Sequence, residues 1–207
     1  MTTTDWLLRA LEESRARGFL GPGAIETQIE HARGFALCWE EFSPSPPAHL
    51  LDLGSGGGLP GLVLVERWEC ETVLVDSMQK RMNFLHETLG WPGAPEKVTV
   101  ITGRAEVIAR EPGWESVFSL VTARSFGLPA VVAECATRFL RLGGSLIVSE
   151  PPEDDPRRWN SEILEEMGLR DDGRVRHGAA FRRLTKIAET PQNLPRGVGV
   201  PSKRPLF

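Results

Sequence analysis

One stretch of the sequence combines an acidic residue with a run of glycines in a way that suits nucleotide binding. Asp52 and Leu53 end a short apolar segment, and glycines then recur between Gly54 and Gly61. Residues without Cβ adopt positive φ readily and let a ligand approach the backbone amides at a helix N-terminus. The stretch therefore predicts a strand, a sharp turn and a helix that together bind a nucleotide, with Asp52 beside the ligand.

Within this turn we predict cofactor binding by residues whose main chain or short side chains can approach the ligand. They are Gly54, Ser55, Gly56, Gly58 and Leu59. Such a turn serves both nicotinamide and S-adenosylmethionine enzymes, and its glycine spacing is better placed when counted from Gly54, because the strand ends at Leu53. Asp52 favours S-adenosylmethionine, whose charged amino-acid end would lie against the turn.

Further cofactor-binding candidates follow the second and third predicted strands. Asp76 lies 22 residues after the first glycine of the turn, where a carboxylate can accept both ribose hydroxyls. With Ser77 it also suits the cap of the next helix, and the two roles are compatible. Arg104, Ala105 and Glu106 follow the third strand, where we expect the adenine, although Glu106 also fits a first-turn acid favoured by the helix dipole.

Arg124 and Ser125 follow the fourth predicted strand, and ligands of open parallel sheets collect at the C-terminal ends of strands. We therefore predict that both residues are catalytic and that Arg124 binds the cofactor, a phosphate or a base carbonyl. Phe126 fits either stacking on a base or packing in the core. The four histidines and three cysteines lack the spacing of metal ligands, so we expect no metal.

The elements that must position these residues alternate along the chain. Apolar strands are expected at 49–53, 72–75, 98–101, 118–122 and 145–149. Helices are expected between them at 59–67, 78–89, 105–110 and 128–142, with a further helix near 158–167. A hairpin of strands 174–177 and 181–187 follows. This pattern predicts an α/β, Rossmann-like, class I S-adenosylmethionine-dependent methyltransferase fold, with a mostly parallel seven-stranded sheet and a C-terminal antiparallel hairpin.

We predict three segments along the chain. Residues 1–45 form a short N-terminal helical cap, with helices at 5–17 and 24–42, and the proline-rich segment 43–47 forbids further helix. Residues 46–190 form the methyltransferase domain, and 191–207 form a basic tail rich in proline and glycine. No apolar run approaches the roughly 20 residues of a membrane helix, and no secretory signal is visible. We therefore expect a cytoplasmic monomer that does not associate with membranes.

The charge of the chain is distributed unevenly. The net charge is −4, yet residues 174–207 contain eight lysines and arginines against Glu189 alone, which gives +7 for this segment and −11 for the rest. Such asymmetry fits either a polyanion-binding face or a solvated basic surface, and charge alone leaves both open. Within this segment we predict substrate binding by Arg196, Lys203 and Arg204.

The residues after the glycines make the turn more specific. The run LDLGSGGGLPG at 51–61 is similar to the signature of the glucose-inhibited division protein B family, the bacterial 16S rRNA guanine-N7 methyltransferases. The resemblance continues through 76–81, 103–106, 122–125 and the segment 195–206, and so covers most of the chain. It implies methyl transfer from S-adenosylmethionine, which leaves S-adenosylhomocysteine, to ribosomal RNA or the small ribosomal subunit. The cofactor contacts that it implies are Gly54, Leu59, Ala105, Glu106 and Arg124.

Two departures from the family pattern concern the substrate side. Ser149, Glu150 and Pro151 stand where the family usually has Leu-Lys-Gly, so an anion replaces a cation. The N-terminal Arg-His motif survives only as Glu30-His31. These changes keep two alternatives open, a divergent methyltransferase of a small molecule or protein and a non-catalytic cofactor-binding module. A nicotinamide enzyme ranks last.

Overall fold

The computed structural model describes residues 3–207, so the first two residues of the predicted cap lie outside the described residues. The strands are β1 His49–Leu53, β2 Glu71–Asp76, β3 Val98–Thr102, β4 Phe118–Ala123, β5 Leu140–Glu150, β6 Leu169–His177 and β7 Ala179–Lys186. The helices are α1 Asp5–Ala16, α2 Ile25–Glu40, α3 Gly61–Trp68, α4 Gln79–Leu89, α5 Ala105–Ile108, α6 Pro129–Thr137, α7 Ser161–Glu166 and α8 Val200–Lys203. None of these helices is long and apolar enough to cross a membrane.

The strands of the described chain form one seven-stranded sheet in the order β3-β2-β1-β4-β5-β7-β6. Strands β1 to β5 are parallel, whereas β7 runs antiparallel to both β5 and β6. The predicted α/β fold with a C-terminal antiparallel hairpin is therefore confirmed. Because β2 and β4 lie on opposite sides of β1, the winding of the chain reverses there. Ligands of open sheets bind outside the C-terminal strand ends at such a reversal.

Side chains of β1, β2 and β4 alternate between two buried faces, which explains why these three strands are mostly apolar. Leu51 and Leu53 of β1 pack with α5, α6 and α7, whereas Leu50 packs with α2 and α3 on the other face. All six residues of β4 are buried. Because β1 to β4 are parallel, their C-terminal ends lie at one edge of the sheet.

The N-terminal helices form part of the folded core. The Thr4 hydroxyl caps α1 by accepting a hydrogen bond from the Leu7 amide at 3.3 Å, and the apolar side of the helix is buried. Near the end of α1, Ser14 Oγ donates to the Gly57 carbonyl oxygen at 2.8 Å. Helix α1 therefore supports the glycine turn directly. The three predicted segment boundaries stay predictions.

One predicted helix is too long. The apolar spacing predicts a helix over 128–142, but α6 ends at Thr137 and Leu140 pairs with Phe118 of β4. Gly143 has a φ of 75°, and a Cβ on Gly144 would lie 2.8 Å from the Phe118 carbonyl oxygen. The two glycines let the chain pass close to β4, so this segment joins β5 instead of continuing the helix. The hairpin strand β6 likewise begins at Leu169, five residues before its predicted start.

The predicted tail, residues 191–207, is packed against the methyltransferase fold. Leu194 is buried, and Phe207 packs against the core cluster that α5 and α6 share. Arg138 Nε donates to the Leu194 carbonyl at 2.7 Å, and Arg110 Nη2 donates to the Pro195 carbonyl at 2.7 Å. The tail is thus an ordered part of the fold, and it contains the short helix α8.

Candidate active site

The glycine turn after β1 has the backbone conformation that its sequence predicts. Gly54, Gly56 and Gly58 have φ angles of 78°, 55° and 106°, a region in which a Cβ introduces strain. At Gly61 space is the restriction, because a Cβ there would lie 2.7 Å from Asp52 Oδ2. The turn therefore requires glycine for conformation at three positions and for close packing at a fourth.

Asp52 lies beneath the turn rather than beside a ligand. Its side chain is fully buried, Oδ2 accepts from the Gly61 amide at 3.0 Å, and Oδ1 accepts from Thr122 Oγ1 at 3.0 Å. Burial raises the pKa of Asp52 to about 6, against the opposing effect of these hydrogen bonds. Asp52 thus joins β1, β4 and the start of α3, and neither cavity described below includes it among its lining residues. The prediction that it contacts the ligand is not supported by this position.

The first cavity, of about 230 Å³, opens at the C-terminal ends of β1, β2 and β3. It brings together six of the predicted cofactor residues, namely Gly54, Asp76, Ser77, Arg104, Ala105 and Glu106. Lining residues that the sequence did not indicate are Met78, Arg81, Val131, Cys135 and Ser202. The last three come from α6 and α8, and no strand-end pattern marks them.

Asp76 connects the glycine turn to α4. Its Oδ2 accepts from the Gly56 amide at 3.1 Å, and its Oδ1 accepts from the Met78 amide at 2.8 Å. Arg81 Nη1 lies 3.5 Å from Oδ2. The carboxylate therefore has the helix-capping role that the sequence allows, and its position in the first cavity keeps the ribose role open.

Glu106 is a buried carboxylate that lines the first cavity. Its Oε1 accepts from Arg104 Nη2 at 2.9 Å and from the Gly199 amide at 2.9 Å, and the residue is 4% exposed. Although burial opposes ionisation, these hydrogen bonds hold the pKa of Glu106 below its usual value. Glu106 is thus an ionised acceptor that also contacts the C-terminal tail.

The second cavity, of about 220 Å³, shares Gly54, Arg81 and Ser125 with the first. The glycine turn, the loop between α1 and α2, and Arg124 line it. Arg124 Nη1 is buried, and it has no hydrogen-bond partner within residues 3–207. Burial lowers the pKa of this guanidinium, whereas the nearby Asp52 carboxylate raises it. A buried donor without a partner at a cavity wall suits an anionic or carbonyl ligand.

Ser125 lies where the cavities meet. It lines both cavities and also a third, smaller one beside Glu150. Its φ of 55° is positive, which costs a non-glycine residue free energy and is found where surrounding structure imposes it. The positive φ of Ser125 turns the backbone sharply after Arg124. The structure therefore places both predicted catalytic residues at one point.

His31 of α2 lies close to this site. Its ring packs against Phe181 and Phe35 with centroid distances of 5.4 and 5.9 Å, and its Nδ1 is buried without a partner in the described chain. Burial and then the positive charge of Arg124 lower the pKa of His31 to about 4. The imidazole is therefore neutral at neutral pH.

We expect His31 to destabilise the protein in acid. Folding lowers the pKa of His31 from 6.5 to about 4. Below pH 6.5 the unfolded chain therefore binds a proton that the folded protein excludes, so folding stability is lost as the pH falls toward 4. Replacing His31 with phenylalanine should reduce the loss of unfolding free energy between pH 7 and 4.5 by about 1–3 kcal/mol. Urea unfolding at both pH values measures this. The raised pKa of Asp52 changes the stability in the opposite direction, but equally in both proteins, so its effect cancels in the comparison. An unchanged pH dependence in the variant would contradict this role of His31.

Glu150, the anion in place of a family cation, is paired within the chain. Trp159 Nε1 donates to its Oε1 at 3.2 Å, and Arg158 Nε lies 3.3 Å from its Oε2. The Glu150 side chain is 3% exposed, whereas that of Arg158 is 30% exposed. A cation is therefore present at the end of β5, supplied by a residue that follows eight positions later in the sequence.

The three predicted substrate-binding residues have different surroundings. Arg196 is bound to the fully buried Glu134 through its backbone amide at 2.7 Å, its Nε at 2.9 Å and its Nη2 at 2.7 Å. Lys203 and Arg204 are exposed, and neither forms an ion pair with any of residues 3–207. Arg196 thus has a structural role, and substrate binding by Lys203 and Arg204 stays a prediction.

Comparison with known proteins gives matches of two kinds. Residues 29–153 match the family model described as rRNA small subunit methyltransferase G. A relative named ribosomal RNA small subunit methyltransferase G from Rubrobacter xylanophilus is 35% identical, over 93% of this chain and 78% of its own. One of the same name from Roseiflexus castenholzii is 33% identical, over 83% and 75%.

Among solved structures, a putative O-methyltransferase from Klebsiella pneumoniae is similar, with a TM-score of 0.61 and 15% identity over 91% of this chain and 92% of its own. An S-adenosylmethionine-dependent methyltransferase from Aquifex aeolicus has a TM-score of 0.55 and 18% identity over 73% and 89%. At these identities the structures support the fold alone.

Proposed function

Since the chain belongs to the rRNA small subunit methyltransferase G family, we propose that it transfers the methyl group of S-adenosylmethionine to guanine N7 in 16S ribosomal RNA. The observation that carries this proposal is the family match over 29–153, which includes the glycine turn, Arg124, and every residue that lines the first cavity except Ser202. The product is S-adenosylhomocysteine. We also propose that the protein acts as a monomer in the cytoplasm, on ribosomal RNA or the small ribosomal subunit.

The residues at the strand ends fit this cofactor. In this proposal Asp76 accepts ribose hydroxyls, and Ala105 and Glu106, which line the same cavity, contact the adenine. The unpartnered Nη1 of Arg124 suits the carboxylate at the amino-acid end, which would lie in the second cavity against the amides of the turn. When bound, S-adenosylmethionine supplies an electrophilic methyl group on a sulfonium centre.

In the proposed reaction the protein has to align the reactants and stabilise charge, but it needs no general base. Guanine N7 carries a lone pair and no proton, so the reaction requires no proton acceptor at that atom. The contribution of the protein is then alignment and electrostatic stabilisation. Ser125 and Phe126 line the junction of the cavities, and Phe126 packs so closely over Gly54 that a Cβ there would lie 2.7 Å from its ring. The target base must leave its stack to reach this junction.

The pairing of Glu150 weakens the case for a different substrate. An unpaired anion at the end of β5 would repel an RNA phosphate, and this is the feature that favours a small molecule or protein as substrate. Because Arg158 pairs with Glu150 and is the more exposed of the two, Glu150 is not an uncompensated anion at the end of β5. We therefore keep RNA as the proposed substrate class.

Replacing both Lys203 and Arg204 with alanine should weaken RNA binding and reduce its salt dependence. Each lost phosphate contact lowers the slope of log affinity against log salt by about 1. Filter binding of 16S RNA fragments at several salt concentrations measures this effect, and cofactor affinity should not change. Arg141→Ala is the control, because Arg141 is also exposed but lies at the N-terminal end of β5, whereas the site lies at the C-terminal ends of the parallel strands. Equal slopes for the double variant and wild type would contradict the assignment.

The proposed reaction is tested by incubating the full chain with methyl-labelled S-adenosylmethionine and small ribosomal subunits or RNA that lack the modification. We expect label in the RNA, recovered as N7-methylguanosine after digestion to nucleosides. Cofactor binding without transfer to RNA, protein or metabolites would favour the non-catalytic module. Label in a small molecule or protein alone would favour the divergent enzyme.

A further inference from the structure

One wall residue of the first cavity comes from the C-terminal tail. Apart from Ser202, the residues that line this cavity lie between positions 54 and 135, at the strand ends and on α4, α5 and α6. Ser202 belongs to α8 and forms no side-chain hydrogen bond with the described chain. Its hydroxyl is therefore free to donate to, or accept from, a ligand in the cavity.

A buried carboxylate holds the start of α8 at the cavity. Glu106 Oε1 accepts from the Gly199 amide at 2.9 Å, and Gly199 has a φ of 74° directly before α8 begins. Glu106 also lines the cavity. The same side chain therefore contacts the cavity and fixes the short helix that carries Ser202.

A second buried carboxylate holds the tail further along. Glu134 of α6 binds Arg196 through three hydrogen bonds of 2.7 to 2.9 Å. Arg196 Nη2 also donates to the Arg204 carbonyl at 2.8 Å, just after α8. Because Val131 and Cys135 of the same helix line the cavity, Glu134 and Arg196 fix α8 relative to that wall.

We propose that Ser202 is a cofactor-binding residue and that the tail, held by Glu106 and Glu134, completes the adenine end of the cofactor site. This inference rests on the proposed function, because it concerns the site at which S-adenosylmethionine would bind. The tail then has two tasks, since the residues next to Ser202 are the exposed cations Lys203 and Arg204. Cofactor binding and RNA binding would use adjacent residues of one segment.

Calorimetric binding of S-adenosylhomocysteine to full-length variants tests this proposal. We expect Ser202→Trp to bind at least 10-fold more weakly than wild type, because the indole would fill the adenine end. Val198→Trp is the matched control, since Val198 lies in the same tail, is 58% exposed and does not line the cavity. Thermal midpoints within a few degrees of wild type show that both variants fold. Equal affinities for Ser202→Trp and wild type would overturn the inference.

A chemical measurement avoids any dependence on steric blockage. The thiol of a Ser202→Cys variant should react with a maleimide several-fold more slowly when S-adenosylhomocysteine is present, whereas that of Val198→Cys should not change. The native thiols are a small background, because burial raises the pKa of Cys38, Cys70 and Cys135. Equal rates with and without ligand would overturn the inference. Failure of the wild type to bind S-adenosylhomocysteine would instead refute the proposed function.

Discussion

Arg124→Ala should lower the rate of methyl transfer by roughly 100- to 1,000-fold, the loss expected when one preorganised donor is removed from an active site. The guanidinium lines the second cavity, its buried Nη1 has no hydrogen-bond partner among residues 3–207, and the strained Ser125 follows it. Alanine would leave the amino-acid end of the cofactor without its cation and the methyl group poorly aligned. Single-turnover transfer from labelled S-adenosylmethionine to RNA measures the effect.

The controls for this variant separate a local effect from a general one. Arg141→Ala also removes one arginine, but at the N-terminal end of β5, away from the C-terminal strand ends where Arg124 lies. This variant should transfer methyl groups at the wild-type rate. Arg124→Lys keeps the charge but changes the geometry, and should recover part of the lost rate. Retention of more than a tenth of wild-type activity in Arg124→Ala would show that Arg124 is not a catalytic residue.

Arg196→Met should destabilise the fold by about 3–5 kcal/mol, because it leaves a buried carboxylate without its partner. Glu134 is fully buried, and its three hydrogen bonds with Arg196 connect α6 to the tail. The backbone amide of residue 196 persists in the variant but cannot neutralise the charge. Urea unfolding, with the midpoint and slope fitted together, gives the change in unfolding free energy.

A double variant decides whether the lost stability comes from the unpaired charge. Arg196→Met combined with Glu134→Met removes both charges and should recover most of the stability, since apolar replacements of a buried pair are often neutral. Lys203→Ala removes an exposed cation of the same tail and should change stability by less than about 0.5 kcal/mol. If Arg196→Met lost RNA affinity at unchanged stability, the original prediction of a substrate-binding role would be favoured over the structural one.

The sheet could be predicted from the sequence because its signals are local. Apolar segments alternating with helices gave the order of elements, and His49–Leu53 was predicted to the residue. The helix predicted over 128–142 exists but ends at Thr137, because the pairing of Leu140 with Phe118, a tertiary contact, draws the following residues into β5. Periodicity alone does not report such a contact.

The site was predictable at the strand ends and less so elsewhere. Asp76, Ala105 and Glu106 line one cavity, as the pattern at the C-terminal ends indicates. The sequence predicts Asp52 beside the ligand. In the structure the start of α3 packs closely against Asp52 at Gly61, and the carboxylate lies beneath the turn, where it accepts a hydrogen bond from the Gly61 amide. Ser202 could not be found from local sequence, because only the fold of the tail brings it to the cavity.

The basic segment shows the limit of counting charges. The excess of +7 over residues 174–207 fits either a polyanion-binding face or a solvated basic surface. In the structure, Arg182 and Arg183 pair with Asp171 and Asp172, just before that segment. Arg196 pairs with Glu134, and Lys186 is buried between threonine hydroxyls, where burial lowers its pKa to about 8. Three cations of the segment are thus balanced by acids from elsewhere in the chain, so the charge count overstates the free positive charge.

The most direct measurement is to map the methylated atom in small-subunit RNA. Methylation of guanine N7 makes the ring positively charged and, after reduction, makes the RNA chain cleavable by aniline at that residue. We predict that wild-type protein with S-adenosylmethionine creates one new cleavage site in unmodified 16S RNA, and that Arg124→Ala gives far less cleavage there after the same reaction time. No new site in RNA or assembled subunits, under conditions in which the protein binds S-adenosylhomocysteine, would contradict guanine-N7 methylation as its activity.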